Sequence, residues 1–288
     1  MLVLCYRNLL LYFRNKTEVF FSLLAALISF ILFVAFLKDN IAGSWGAVPN
    51  HQRFLDLWLI SGTLAITGIT TTLSALSQKV EDQEKKTTDD LKLTGISHFA
   101  LDFAYILSAT VIGFVMQVAV FIVIYLYFHL VDDLNIKAEL FLPLLLVMFI
   151  GALLGAVVNA IVMMFVKNRN TLSAVASVVG TVSGFLVGAY IPVGILPDFA
   201  QWLVKLTPGA YVGSLFRQLL LNDDLKKFFP AGTIRDKFSE QLGVQLKWGE
   251  LLDLQQTLMI ALFIFVALLV ILLVEEYLST PKKSRVRA

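Results

Sequence analysis

Charge and sulfur are what this sequence has least of. Cys5 is the only cysteine in 288 residues, which excludes an internal disulfide and a cysteine metal cluster. The three histidines, His51, His98 and His129, stand far apart without ligand spacing. Charged residues make up 15% of the chain, whereas a soluble globule carries about a quarter to hydrate its surface. There is no Gly-x4-Gly-Lys-Ser/Thr loop, no HExxH pair and no Gly-x-Ser-x-Gly elbow. Nucleotide hydrolysis, zinc proteolysis and serine hydrolysis therefore have no carrier in the motifs those reactions need. The net charge is only +2, and its lysines and arginines lie in short clusters, so no nucleic-acid partner is expected.

What fills the space is apolar. Hydrophobic residues make up 58% of the chain, and the mean hydropathy is +0.80. A helix crossing a hydrocarbon core of ~30 Å needs ~20 residues. Stretches free of Asp, Glu, Lys and Arg run over 19–37, 57–78, 103–131, 140–166, 170–197 and 254–274. So many long apolar runs exceed any core this chain could enclose, so lipid must cover them. The pattern predicts one all-α membrane domain over 1–288, with transmembrane helices at 18–37, 57–78, 102–128, 140–166, 170–191 and 254–276.

Basic residues predict the orientation. Arg7, Arg14 and Lys16 share one side with Lys79, Lys85, Lys86 and Lys92, with Lys167 and Arg169, and with Lys282, Lys283, Arg285 and Arg287. The short loops opposite hold only Lys38, Arg53 and Lys137, so both termini are expected in the cytoplasm of a cell-membrane protein. The first apolar run starts late, lacks a small-residue cleavage site and is long enough to span, which predicts an uncleaved first helix.

Between the spans, 1–17 has Leu2, Tyr6, Leu9, Leu10 and Phe13 at helical spacing beside Arg7, Arg14 and Lys16. This pattern fits an amphipathic helix lying in the interface. The cytoplasmic loop 79–100 mixes both charge signs at helical spacing and is interrupted by Gly95, as suits a short docking helix or a solvated loop. In 192–253, Pro192, Pro197 and Pro208 bracket two short amphipathic pieces, 198–206 and 209–221, read as external re-entrant helices. The polar remainder, 222–253, reads as an external cap or loop.

Within the bilayer, Gly151 and Gly155 in the fourth span, and Gly180, Gly184 and Gly188 in the fifth, recur every four residues. That spacing lets helix backbones approach closely and predicts helix packing. Asp102, Glu275 and Glu276 lie near span ends, leaving Gln117, Asn159 and the cluster Thr67, Thr70, Thr71, Thr72 as the main internal polar groups. A proton or ion carrier keeps charges deep in the membrane. Such a lining suits hydrophobic or amphipathic cargo better than an ion.

Three stretches then resemble the permease subunits of ABC-2 type (type V) ABC exporters. Tyr12-Phe13-Arg14-Asn15-Lys16 before Phe20-Phe21 looks like the interfacial helix feeding the first span. Asp89-Asp90-Leu91-Lys92-Leu93-Thr94-Gly95-Ile96-Ser97 looks like the stretch after the coupling helix, with Gly95 where a proline is common. Gly188-Ala189-Tyr190-Ile191-Pro192 through Pro197, then Leu206-Thr207-Pro208 and Arg217, looks like the exit of span five and its re-entrant helices. The resemblance implies a pair of permease subunits, as homodimer or heterodimer, above two ABC ATPase subunits that hold the ATP and Mg. This chain itself carries no cofactor and no catalytic site. It also implies that Glu81, Glu84, Lys85, Asp89 and Asp90 couple to the ATPase. Family substrates include drugs, antibiotics, lipids, polysaccharides and peptides, so multidrug or antibiotic resistance by export is one expectation. An ATP-independent channel or ion-coupled carrier is the alternative from another class, and a membrane-embedded enzyme is a third.

Overall fold

The computed structural model describes residues 1–38, 51–229 and 232–279. The cluster Lys282, Lys283, Arg285 and Arg287 lies outside the described residues, as does the side chain of Glu276. The helices are α1 (Leu2–Arg14), α2 (Lys16–Ser22), α3 (Leu24–Leu32, continued by a π turn, Phe33–Leu37), α4 (His51–Glu84), α5 (Thr87–Leu93) and α6 (His98–Asp132). They continue as α7 (Phe141–Met164), α8 (Arg169–Leu186), α9 (Asp198–Lys205), α10 (Pro208–Phe228), α11 (Thr233–Gln241) and α12 (Leu254–Ser279). A two-residue antiparallel ladder, β1 (Lys247–Trp248) with β2 (Glu250–Leu251), is the one exception among the described residues.

Local chemistry sets the helix starts. The Asn15 side chain accepts from the Glu18 amide at 3.2 Å, closing α1 and opening α2. Ser97 caps α6 through the Ala100 amide, and Asn168 caps α8 through the Thr171 amide. At α12, Asp253 and Gln256 form a reciprocal capping box, at 2.7 and 2.9 Å. Pro208 opens α10, where its missing N–H costs nothing. The Thr67, Thr70, Thr71 and Thr72 hydroxyls each bond back to the carbonyl four residues earlier. That satisfies them inside their own helix.

Helix α4 is the axis of the molecule. It packs against α6, α7, α8 and α10, and 89% of its most apolar stretch is buried. Asn159 of α7 donates to the Ile69 carbonyl and to Thr72, both at 2.8 Å, and Gln117 of α6 donates to the Leu64 carbonyl at 3.1 Å. In α12 the same measure is 11%, and this helix rests mainly on α7 and α10. Its exposed Phe263, Val266, Val270 and Leu273 suit a surface covered by lipid.

Among the described residues four unbroken helices, α4, α6, α7 with its preceding turn, and α12, are long and apolar enough to cross a membrane. The count is five if α2 and α3 form one broken span. The expected first span, 18–37, is therefore not one rod but bends by 45° at Leu23. No proline or glycine marks the bend; Ser22 instead bonds back to the Val19 carbonyl at 2.8 Å and pairs with Tyr12 at 2.7 Å. The run 170–191 is also shorter than expected, because α8 ends at Leu186. Two further boundaries move. Helix α4 continues through 79–84, so the first part of the expected coupling loop is helical. Helix α10 runs to Phe228 rather than stopping near 221, because Leu221 and Leu225 bury beneath its polar Asn222-Asp223-Asp224 turn.

Candidate functional site

Three walls enclose a cavity of about 910 Å³: the broken α2–α3 segment, α4, and α8. Ile28 and Leu32 line it from α3, Thr70 and Leu73 from α4, and Ser173 and Ser177 from α8. Glu18 is its one charged lining residue, and the carboxylate is held by Ser74 at 3.1 Å and Ser77 at 2.8 Å on α4. The α8 wall is unusual for a helix among apolar spans. Only Ser183 and Gly184 are buried along it, while Ser173, Ser177 and Thr181 form an exposed row at helical spacing. Ser177 and Thr181 spend their protons on carbonyls one turn earlier, at 2.9 Å each. The row is thus polar, with the Ser177 and Thr181 hydroxyls already bonded within their own helix.

Beneath this cavity lies a charged knot. The Asp82 carboxylate, 2% exposed, takes a two-pronged bond from Arg7 at 2.7 and 2.8 Å, the Tyr105 hydroxyl at 2.6 Å and the Gln78 amide at 2.9 Å. One carboxylate therefore ties α1, α4 and α6 together. The hydrogen bond to Asp82 pushes the Arg7 guanidinium above its already high ordinary value. Asn8 adds a second tie from α1 to α6, donating to Ser108 at 3.2 Å.

The predicted coupling residues divide into two groups. Glu81 and Glu84 sit on the last turn of α4 and grip the start of α8. The Arg169 guanidinium meets Glu81 at 2.5 Å, and its amide donates to Glu84 at 2.7 Å. Lys85 pairs with Glu81 at 3.2 Å. Asp89 and Asp90 instead lie exposed in the first turn of α5, which has no buried residue, with Asp89 near Lys92 at 3.6 Å. Lys86, at φ 59°, makes the sharp turn between α4 and α5. A polar cavity of about 550 Å³, lined by Lys79, Gln83, Lys92, His98 and Asp102, opens beside α5.

The glycines behave unequally. A Cβ on Gly155 would stand 3.1 Å from the Gly68 carbonyl of α4, and one on Gly151 would meet Val212 of α10 at 2.9 Å. Gly184 lies flat against the Tyr190 ring. Gly180 has open space and lines the large cavity instead. Gly188 does not share a helix face with Gly180 and Gly184, because it lies beyond the end of α8 at φ +69°, in the left-handed region. A third cavity, of about 310 Å³, lies between α7 and α8 behind the same wall, lined by Val158, Val162, Val178 and Val182.

Sequence reasoning missed the ionic contacts because their members lie far apart in the chain. At the end of α4 opposite the Asp82 knot, Lys38 bridges buried Asp56 at 2.9 Å and Asp132 at 2.6 Å. Nearby, Arg53 holds Asp224 at 2.7 Å and the Asn135 carbonyl at 2.8 Å. Lys137 bonds Asp223 at 2.6 Å, which keeps that carboxyl below its usual range. Carboxylates paired with arginines and lysines at both ends of α4 brace the bundle, and no group of His, Cys, Asp or Glu among the described residues is placed to hold a metal.

The model of the family described as ABC-2 type transporter matches residues 1–221, a stretch that contains the whole cavity, the Asp82 knot and α5. No curated protein matches the chain significantly.

Proposed function

The chain belongs to the ABC-2 type transporter family, as a multi-pass membrane subunit of an ABC transporter, and from that premise we propose that it is the permease of an ATP-driven exporter. The cargo is hydrophobic or amphipathic: a drug, antibiotic, peptide or lipid. ATP is hydrolysed by separate ABC ATPase subunits, two copies beneath two permease chains, with a homodimer as the simplest arrangement. What supports this reading is the cavity walled by α2–α3, α4 and α8, along which the Ser173, Ser177 and Thr181 row of α8 lies exposed. A second copy facing it would close the cavity into a passage. Its nearly uncharged lining fits apolar cargo rather than ions.

The bent first span and α8 complete six crossings in this proposal. The 18 residues of α8, at ~1.5 Å each, reach ~27 Å, close to the hydrocarbon thickness. Both termini, α1 and α5 then lie in the cytoplasm, with α9 and α10 as the external re-entrant pair. Glu81, Glu84, Lys85, Asp89 and Asp90 form the coupling region, in which Asp89 and Asp90 offer charge to the ATPase and Glu81 and Glu84 hand its motion to α8 through Arg169.

Purified permease should be placed in vesicles with and without the ATPase, identified by its Walker motifs in the neighbouring reading frame. Uphill movement of cargo is expected only with both subunits and ATP. Accumulation against a gradient by this chain alone overturns the proposal. For the coupling region, the Glu84→Ala/Asp89→Ala/Asp90→Ala variant is expected to reach the membrane normally. Its capture of the ATPase should weaken by about 3- to 150-fold, since three partly exposed ion pairs at ~0.2–1 kcal/mol each sum to ~0.6–3 kcal/mol. Unchanged capture removes these residues from the interface.

A further inference from the structure

Arg217 of α10 is fully buried, yet it makes no ion pair among the described residues. Its guanidinium donates to three backbone carbonyls: Val187 at 3.0 Å, Gly188 at 2.7 Å and Gly243 at 3.3 Å. Nε has no acceptor, and the Trp58 ring of α4 covers the group at 5.4 Å. Four glycines from separate parts of the chain form the surrounding walls. A Cβ on Gly62, Gly188 or Gly213 would stand 3.6 Å from a guanidinium nitrogen, and one on Gly243 would stand 3.3 Å away. Gly188 and Gly243 also hold left-handed φ values of +69° and +62°. The cage is thus built of backbone, and a planar fork of donors fills it.

Val187 and Gly188 are the residues directly after α8, where helix-end carbonyls lack partners and carry the negative pole of the helix dipole. Arg217 caps that end from another helix. A buried ion is often replaceable by an apolar side chain without loss of stability, so fold stability alone is a weak reason for it. A fork that fixes carbonyls on two other segments gives a stronger reason, because it prevents them from moving independently of α10.

We infer that Arg217 is a positioning residue of the transport cycle: a latch joining the end of α8, α10 and the turn after α11 into one moving body. Displacement of the α8 wall then reaches the segment between α8 and α12 without slack. The inference rests on the permease reading above.

The test uses the full transporter, with Cys5→Ser and spin labels at Phe185→Cys on α8 and Asn222→Cys on α10. A second label pair joins 185 to Ile122→Cys on α6. Distances are compared between the nucleotide-free and the vanadate-trapped complex. In the parent, trapping should shift the 185–122 distance, while 185–222 stays constant to within about 1–2 Å, the scale of helix shifts. In Arg217→Met, and in Arg217→Lys should the methionine variant not fold, the 185–222 distance should broaden and differ between the two states. A purely stabilising role would lower thermal stability but leave this distance independent of state. A constant 185–222 distance in the variant that folds overturns the latch, as does a parent in which 185–122 does not shift. Failure of the complex to bind or trap nucleotide overturns the permease reading instead.

Discussion

Asp82→Ala is expected to release α1 from the bundle. The substitution strands three donors at once: the Arg7 guanidinium, the Tyr105 hydroxyl and the Gln78 amide. Breaking a buried ion pair by removing one partner costs ~3–5 kcal/mol. Arg7 keeps 31% of its side chain exposed and can turn toward water, so a loss of about 2–4 kcal/mol is the reasonable scale. The effect also has a local reporter. Cys5 is the lone cysteine, 6% exposed, on the same helix as Arg7 and Asn8. Burial hides the thiol and holds its pKa above the ordinary value. In the parent, a membrane-permeant maleimide should therefore label it slowly. In Asp82→Ala it should react at least ten-fold faster, ahead of global unfolding. Asp82→Asn retains one acceptor for Tyr105 or Gln78 and should fall between the two. Equal labelling in all three proteins would mean that α1 is held by its apolar contacts alone.

The same residue shows where the sequence stops being legible. Five helices at or near the expected places follow from long uncharged runs, since a bilayer leaves no other solution for their backbone groups. Asp82, however, sits in a run of mixed charges that reads as a short docking helix or a solvated loop. Its value lies in a partner 75 residues away, which no local pattern encodes. The break at Leu23 was equally invisible, because a serine hydroxyl and a distant tyrosine cause it inside an unbroken apolar run. The polar turn 222–224 looked like a loop, yet Leu221 and Leu225 keep α10 continuous on its buried side. Arg217 stands out in the sequence only through the family resemblance. Its buried state depends on glycines at 62, 188, 213 and 243 that no spacing rule connects.

The glycine series gives the second large effect, and it separates folding from transport in one experiment. Leucine at Gly155 would place its Cβ 3.1 Å from both the Gly68 carbonyl and the Thr72 hydroxyl oxygen, where backbone cannot yield. Helices α4 and α7 would have to part, breaking the Asn159 bonds to Ile69 and Thr72 that bind them. Overpacking costs ~1–3 kcal/mol, and interhelical hydrogen bonds in membranes add ~0.6–2 kcal/mol each. Gly155→Leu is therefore expected to aggregate or to lose most of its folded fraction, as size-exclusion profiles in mild detergent would report. Gly180→Leu should leave that profile unchanged, because nothing lies within 4 Å of its Cβ position. Its side chain would project instead into the 910 Å³ cavity, among Ser177, Thr181 and Phe185. If that cavity is the passage, Gly180→Leu should cut ATP-driven transport by about ten-fold or more while the protein still folds and binds its ATPase. A leucine there that leaves transport intact would move the passage elsewhere, to the apolar cleft on the far side of α8.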